Sequence, residues 1–126
     1  MSKRVPVITG IGVVAPGAIG REAYWDLLTQ GRTATRKISL FDAEKFRSRI
    51  AAEVDFDPVG AGLTHQQVRR MDRAAQFAVV CTREAVADSG LDIAARDPER
   101  VAVSLGSAVG CTTGLEEEYR VISDSG

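Results

Sequence analysis

The fold class is decided near the start of the chain, by the stretch Val7-Ile8-Thr9-Gly10-Ile11-Gly12-Val13-Val14-Ala15-Pro16-Gly17. β-Branched residues dominate residues 4–9, which predicts a strand that ends at Gly10. Pro6 would weaken the pairing of this strand, because proline has no backbone N–H to donate. The glycines and the proline within residues 10–20 predict a loop. This strand and loop are the first of the alternating elements from which the fold class is predicted.

Helices and strands alternate along the rest of the chain. Apolar positions three and four apart, with capping residues or glycines at the ends, predict helices. Thr64 and Gln67 form a capping box at the start of the longest one, and the glutamates at 116–118 would favour the first turn of the last one through the helix dipole. The predicted elements are helices over 21–30, 64–88 and 115–122 and further strands over 49–57 and 101–105. This order predicts an α/β layered fold.

Length and composition limit the classes of protein that the chain can belong to. The chain has 126 residues, 44% of them hydrophobic and 26% charged, which predicts one ordered domain rather than disorder. We find no apolar run of the roughly 18 residues that a membrane span needs, and the apolar run after Arg4 is too short for a secretory signal. The sequence therefore predicts a soluble cytoplasmic protein without a membrane partner.

Charge and metal-ligating residues point away from two further classes. The net charge of −1 argues against a nucleic-acid binder. Residues 1–49 carry net +5 and residues 50–126 net −6, which is most simply explained by solvated faces that differ. Cys81 and Cys111 form no CxxC motif, and His65 is the only histidine, so a metal site is not expected.

The loop after the first predicted strand matches a permissive dinucleotide fingerprint. In that motif, glycines let the backbone approach a pyrophosphate at a helix N-terminus. Here Pro16 and Gly17 follow where the helix should begin, and no second strand ends in an acidic residue about 20 positions later. A tight turn between strand and helix is the preferred interpretation, and nucleotide binding is the alternative.

A second small-residue loop contains Gly110-Cys111-Thr112-Thr113-Gly114. Its place before a helix could lower the pKa of the Cys111 thiol and make it a nucleophile. The only histidine that could act as its base is His65, on another helix, and the glutamates at 116–118 would oppose a thiolate. A small apolar residue in a packed loop is therefore the preferred interpretation of Cys111.

Arg69, Arg70 and Arg73 form a basic cluster on the polar side of the longest predicted helix. The simplest interpretation is a solvated face with weak local ion pairs. The functional alternative is a docking surface for an acidic protein or a phosphate, because guanidinium groups match such anions in geometry.

Taken in order, several separate motifs resemble β-ketoacyl-acyl-carrier-protein synthases. The opening stretch is similar to the VITGxGxxxPxG start of that family, although the family normally has a β-branched residue where Pro6 stands. Residues 31–37, 49–58 and 70–73 look most like the ketosynthase α subunit of type II aromatic polyketide synthases, with a fatty-acid elongation synthase as the nearest alternative. The other matching motifs lie at 24–28, 41–42, 70–78, 88–91 and 106–110.

This resemblance implies the N-terminal, incomplete part of a thiolase-like fold with α/β/α/β/α layers, over residues 1–126. It implies a decarboxylative Claisen condensation of malonyl-acyl carrier protein with a chain held as a cysteine thioester, without metal or organic cofactor. The substrates would arrive on the phosphopantetheine arm of the acyl carrier protein. The implied partners are that carrier protein, the remainder of the ketosynthase and a chain-length-factor-like subunit in a heterodimer.

The resemblance also assigns roles to a few residues. The family's nucleophilic cysteine and two histidines lie downstream of residues 106–110, so no catalytic residue is expected in this chain. Cys111, Thr112 and Leu115 fall where the family lines or gates the acyl tunnel, and a bulkier residue at 115 would shorten the chain that fits. Arg69 and Arg70 match basic positions that meet the carrier protein.

Two other kinds of protein remain alternatives at this point. One is a non-catalytic α/β module that binds an acidic carrier protein, and the other is a nucleotide-binding domain that uses residues 10–20. A catalytic cysteine and two histidines beyond Gly126 would favour the ketosynthase over the module. Titration with NADH or ATP would test the nucleotide-binding domain.

Overall fold

A computed structural model describes residues 5–110 and 112–126. Its helices and strands are short, apart from two helices in the second half. They are, in chain order, β1 (Val14–Ala15), β2 (Ala18–Ile19), α1 (Arg21–Thr29), β3 (Thr35–Lys37), β4 (Ile50–Ala52), α2 (His65–Arg70), α3 (Arg73–Ser89), a 3₁₀ turn (Pro98–Arg100) and α4 (Thr112–Ser125).

Two apolar segments that were predicted to be strands lack a partner strand among the described residues. The strand prediction for residues 4–9 is wrong over residues 5–9, and Arg4 lies outside the described residues. The prediction for 101–105 is wrong as well. Ile8 and Val103 remain 86% and 88% exposed. A strand needs a neighbour for its backbone hydrogen bonds, and the described part of the chain offers none at either place.

The strands of the described residues form two small antiparallel hairpins, and the first lies within residues 10–20, where the prediction of a loop is therefore wrong. In the first, Val14 pairs with Ile19 and Ala15 with Ala18 across a turn in which Gly17 has φ of 76°. In the second, β3 pairs with β4, so the predicted strand over 49–57 is shortened to three residues. Residues 32–46 show no clean sequence period, and β3 was therefore not predicted.

Helix α1 lies close to its prediction. It begins after Gly20 and ends at Thr29, one residue before the predicted end. Gly31 follows with φ of 61°, the left-handed conformation in which glycine commonly terminates a helix. Helix α4 begins at Thr112, three residues earlier than predicted, so the glutamates at 116–118 lie beyond its first turn and the expected dipole contribution there is wrong.

The longest predicted helix is in fact two helices. Thr64 and Gln67 form the capping box as predicted, and Gly90 ends α3 in the left-handed conformation. Met71 adopts extended backbone with φ of −113° and ψ of 137°, which ends α2. Asp72 then caps α3 by accepting the N–H of Ala75 over 2.7 Å. The single helix over 64–88 is therefore wrong at the two residues between α2 and α3.

Helix α3 packs directly against the glycine-rich loop. A Cβ atom on Gly10 would lie 2.0 Å from the main-chain oxygen of Ala85, and one on Gly12 would lie 1.9 Å from that of Cys81. These distances are far below van der Waals contact. Both glycines are therefore needed because loop and helix backbones touch.

The buried apolar core of the described residues is small. Its buried members are Ala18, Ala43 and Leu63, which retain 3–7% of their surface exposed. Many large apolar side chains stay exposed, with Val7 at 76% and Leu105 at 71%. None of the helices among the described residues has the length and apolar character needed to cross a membrane.

Candidate functional site

Helix α2 carries two exposed arginines at its C-terminal end. Arg69 and Arg70 lie in its last turn, and both are solvent exposed. Within residues 5–110 and 112–126, neither makes an ion pair with a carboxylate. Their charges are therefore available to an anionic partner.

The start of α2 and its C-terminal end are fixed by side-chain hydrogen bonds. At the start, the Thr64 N–H donates to the Gln67 side chain over 2.9 Å, and the Gln67 N–H donates to the Thr64 hydroxyl over 3.2 Å. At the end, the Gln76 amide donates to the main-chain oxygens of Val68 and Met71 over 3.3 and 2.9 Å. Gln76 was not predicted from the sequence, because the bend at Met71 is what brings the Val68 and Met71 oxygens within its reach.

Arg73 differs from the other two members of the predicted basic cluster. Its guanidinium donates to the main-chain oxygen of Val54 and lies 5.0 Å from the centre of the Phe77 ring. Phe77 in turn meets Phe56 edge to face, with ring centres 4.9 Å apart. Arg73 therefore links α3 to the segment after β4, and the cluster is divided into one structural and two free arginines.

A cleft lies beside the N-terminus of α4. It has a volume of about 690 Å³ and is lined by Leu40, Phe41, Phe46, Arg73, Thr112, Thr113 and Glu116. A neighbouring cleft of about 410 Å³ shares Thr112 and Arg73. Leu115 lies on α4 with 54% of its surface exposed and lines neither cleft. Cys111, the third residue predicted for this place, lies outside the described residues.

One wall of this cleft is supported by a charged network that the sequence did not reveal. Glu53 is buried and accepts hydrogen bonds from the Ser39 hydroxyl over 2.7 Å and from the Ser39 and Leu40 N–H groups. These bonds, above all that from the Ser39 hydroxyl, hold the pKa of Glu53 below its usual value. Arg36 donates to Asp55 over 2.5 and 2.6 Å and likewise lowers the Asp55 pKa.

The glycine-rich loop is held by two carboxylates of α3. Glu84 accepts the N–H of Val13 over 2.8 Å and that of Arg21 over 2.6 Å. Asp88 accepts the N–H of Ile11 over 2.9 Å and pairs with the Arg21 guanidinium. An anion at the N-terminus of α1 would have to displace Glu84. The interpretation of this loop as a tight turn is therefore supported over a dinucleotide site.

The structure gives no sign of a reactive or metal-binding role for Cys81 or His65 among the described residues. Cys81 is half-buried in α3, and burial raises the pKa of its thiol, which agrees with a packed rather than a reactive cysteine. His65 is exposed at the first position of α2. Among the described residues, no three metal-ligating side chains lie close enough together to hold a metal ion.

Comparison with known families gives the context of these features. The family model described as "Beta-ketoacyl synthase, N-terminal domain" matches residues 3–126. The chain belongs to the beta-ketoacyl synthase family. The resemblance found in the sequence motifs is thereby confirmed, and with it the N-terminal part of a thiolase-like fold.

Individual beta-ketoacyl synthases show which members are similar. The tetracenomycin polyketide synthase ketoacyl synthase alpha subunit of Streptomyces glaucescens is 66% identical over 98% of this chain and 29% of that protein. The granaticin polyketide putative beta-ketoacyl synthase 1 of Streptomyces violaceoruber is 65% identical over 100% of this chain and 30% of that protein. The 3-oxoacyl-[acyl-carrier-protein] synthase 2 of Coxiella burnetii is 40% identical.

A solved structure extends the likeness to three dimensions. The ishigamide ketosynthase/chain length factor superimposes with a TM-score of 0.60 and 42% identity, over 68% of this chain and 21% of that chain. The chain thus spans less than a third of the length of the polyketide synthases that it matches. The alignments therefore compare it with only one part of those proteins.

Proposed function

We propose that this chain is the N-terminal portion of a ketosynthase α subunit of a type II polyketide synthase. The observation that carries the proposal is the identity of 65–66% to two polyketide ketoacyl synthases over nearly the whole chain. The identity of 40% to a 3-oxoacyl-[acyl-carrier-protein] synthase makes fatty-acid elongation the weaker candidate. A carrier-binding module without catalysis is not favoured either, because the named relatives are synthases.

The reaction that we propose for the full-length protein proceeds in two steps. A cysteine thiolate outside this chain attacks the acyl thioester, forms an acyl-cysteine bond and releases the carrier's thiolate, which takes up a proton from water. Malonyl carrier protein then loses CO₂, and the resulting carbanion attacks the acyl-cysteine carbonyl. The new carbon–carbon bond leaves a β-ketoacyl carrier protein and returns the cysteine thiolate. The balance requires neither metal nor organic cofactor, and we propose that the enzyme uses none.

The residues of this chain would contribute binding rather than bond making. We assign Cys111, Thr112 and Leu115 to the lining or gate of the acyl tunnel. The cleft of about 690 Å³ that Thr112 lines supports this assignment for Thr112. Leu115 is exposed beside it on α4, where a partner subunit could bring it into the tunnel wall. Such a partner is proposed to be a chain-length-factor-like subunit, as in the similar ketosynthase/chain length factor structure.

Arg69 and Arg70 are proposed to dock the acyl carrier protein. Two observations support this proposal: both arginines are exposed at the end of α2, and neither has a carboxylate partner in the described part of the chain. Two unpaired guanidinium groups attract an acidic partner and accelerate its encounter. The expected location of the full-length protein in the cytoplasm remains a prediction.

We further propose that residues 1–126 are one incomplete part of the folded domain. The support is the exposure of the two apolar segments around Ile8 and Val103, which is typical of strands that pair with chain from elsewhere. The longer relatives provide such chain, since more than two thirds of their length lies outside the matched part.

The decisive experiment uses the full-length protein that contains this segment. It is combined with its partner subunit, an acyl carrier protein and malonyl thioester, and CO₂ release and carrier-bound products are followed. The proposal expects CO₂ release together with an unreduced poly-β-keto chain. A protein that only extends saturated acyl chains by one unit would be a fatty-acid synthase, and a protein without condensation would be the binding module.

A further inference from the structure

The strongest unassigned feature of the described residues is the buried side chain of Gln76. It is the one buried residue of α3, with 9% of its surface exposed. Its amide N–H groups donate to two main-chain oxygens, those of Val68 and Met71. These two residues stand immediately before and after the Arg69-Arg70 pair.

The two hydrogen bonds provide donors for main-chain oxygens at the junction between α2 and α3. The last carbonyl groups of a helix have no partner within the helix, and burial of an unpaired carbonyl is costly. Helix α2 has only six residues, so it has little stability of its own. The Gln76 amide satisfies two oxygens at its C-terminal end and thereby fixes the direction in which α2 leaves the Met71 bend.

We propose that Gln76 is a positioning residue for the docking of the acyl carrier protein, acting through Arg69 and Arg70. This inference rests on the proposed function, in which the two arginines contact the carrier. Gln76 itself is buried and does not touch the partner. It determines where two long, exposed side chains begin, because their Cα atoms lie between the two carbonyl groups that it binds.

Neighbouring contacts make this effect specific to α2. Asp72 caps α3 through Ala75, and Arg73 binds the Val54 oxygen, so α3 and the segment after β4 keep their own connections without Gln76. Loss of the Gln76 amide would therefore release the end of α2 while α3 remains in place. Binding of the carrier protein should suffer, whereas the condensation step, for which we propose no residue of this chain, should not.

The test uses the full-length synthase with its partner subunit and compares two substrates. Gln76→Met keeps the length of the side chain but removes both donors. We expect KM for malonyl-acyl carrier protein to rise roughly threefold to tenfold. We also expect a weaker salt dependence of that KM. The kcat, and the kcat/KM for malonyl N-acetylcysteamine thioester, which carries no protein, should stay unchanged.

A control and a second variant keep the test decisive. Thr82→Val on the same helix removes a hydroxyl that donates to the Ala78 oxygen within α3, and it should leave both substrates unaffected. If Gln76→Met does not accumulate as folded protein, Gln76→Asn tests the same point, because its amide is one methylene too short to reach both oxygens. An equal loss with both substrates from either Gln76 variant would mean a merely structural role and would overturn the inference.

A double-mutant cycle separates this inference from the proposed function. In an Arg69→Glu/Arg70→Glu background, Gln76→Met should have no further effect on KM, because the groups that it positions are gone. A full additional effect there would overturn the positioning role while the docking pair stands. If Arg69→Glu/Arg70→Glu alone leaves KM for the carrier protein unchanged, the docking proposal fails, and the inference fails with it.

Discussion

The carboxylate of Glu84 accepts the main-chain N–H of Val13 across 2.8 Å, although 71 residues separate the two in sequence. The same carboxylate accepts the N–H of Arg21 at the start of α1. One side chain of α3 therefore satisfies a donor in the glycine-rich loop and another in the following helix. This arrangement places Glu84 where an anionic ligand would bind in a nucleotide site.

Removal of this carboxylate should destabilise the protein. We expect Glu84→Ala to lower the free energy of unfolding of the full-length protein by about 1–3 kcal/mol, because two backbone donors lose their acceptor. Urea denaturation measures the change. The matched control is Glu22→Ala, whose carboxylate makes only an exposed contact of 3.9 Å with Arg21, and which should cost less than about 0.5 kcal/mol. Equal losses for the two variants would contradict the role of Glu84.

The glycine at position 12 should tolerate no side chain. A Cβ atom there would lie 1.9 Å from the Cys81 oxygen, so Gly12→Ala must separate the loop from α3. We expect a loss of at least about 2 kcal/mol in the free energy of unfolding. Gly106→Ala is the control, because nothing lies within 4 Å of its added methyl group.

NADH or ATP titration of the unmodified protein should show no binding, and saturable binding would support the nucleotide-site alternative.

The network around Glu53 should make the protein sensitive to acid. Hydrogen bonds from Ser39 and Leu40 lower the Glu53 pKa, and Arg36 lowers that of Asp55. A carboxyl group with a lowered folded-state pKa stabilises the protein fully above its unfolded-state pKa, and that stabilisation is lost as pH falls through the folded-state value. The loss should therefore begin near the ordinary carboxyl pKa of about 4 and continue as pH falls below it.

Substitution of Glu53 tests that assignment. Glu53→Gln should lower stability at neutral pH and flatten the decrease in acid, since the variant has one titrating group fewer. Denaturation midpoints measured across this pH range give the comparison. Glu44→Gln, in the loop between β3 and β4, is the control, and its pH profile should follow that of the unmodified protein. A Glu53→Gln profile as steep as the unmodified one would rule out the network as the cause.

Charge reversal of the arginine pair should weaken carrier-protein binding. Arg69→Glu/Arg70→Glu replaces two attractive contacts with repulsive ones, so we expect affinity for the acidic carrier to fall at least tenfold at low salt. The salt dependence of binding should fall as well, because the variant has two fewer positive charges that attract the acidic carrier. Arg96→Glu/Arg100→Glu, in the segment between α3 and α4, is the matched control. Unchanged affinity at low salt would contradict the docking role.

Residues 1–126 expressed alone should not form a well-packed domain. Few apolar side chains of the described residues are buried, whereas Ile8, Val103 and Leu105 are mostly exposed. We expect strong binding of the dye ANS, broad thermal melting and no condensing activity. Calorimetry provides the measurement, with the full-length protein as the control. A sharp cooperative melt of the isolated segment would show that it folds independently.

Features that depend on neighbouring residues could be predicted from the sequence. The capping box of Thr64 and Gln67 and the glycine that ends α3 are set by local backbone chemistry, and both are confirmed. Helix α1 likewise follows from its apolar spacing and from Gly31. Family membership was also predictable, because several motifs recur in one order along the chain.

Features that depend on distant partners could not be predicted in this way. In the sequence, Asp72 is one polar position of a long predicted helix. Its role as the N-cap of α3 follows only from the extended backbone of Met71, which ends α2. Gln76 and Glu53 look like ordinary polar residues until the fold brings main-chain groups to them. Glu84 and Asp88 did leave a signal, two acidic residues four apart on the face that meets the loop.

The exposed apolar segments around Ile8 and Val103 also bear on how such a protein is made. A ribosome that has completed this part of a full-length synthase still has more than two thirds of the chain to translate. At cellular elongation rates this takes on the order of tens of seconds. Under the proposed function, both segments stay unpaired during this time. Nascent chains of this kind should therefore depend on chaperones that shield β-prone apolar sequence, and heterologous production should improve when such chaperones are supplied.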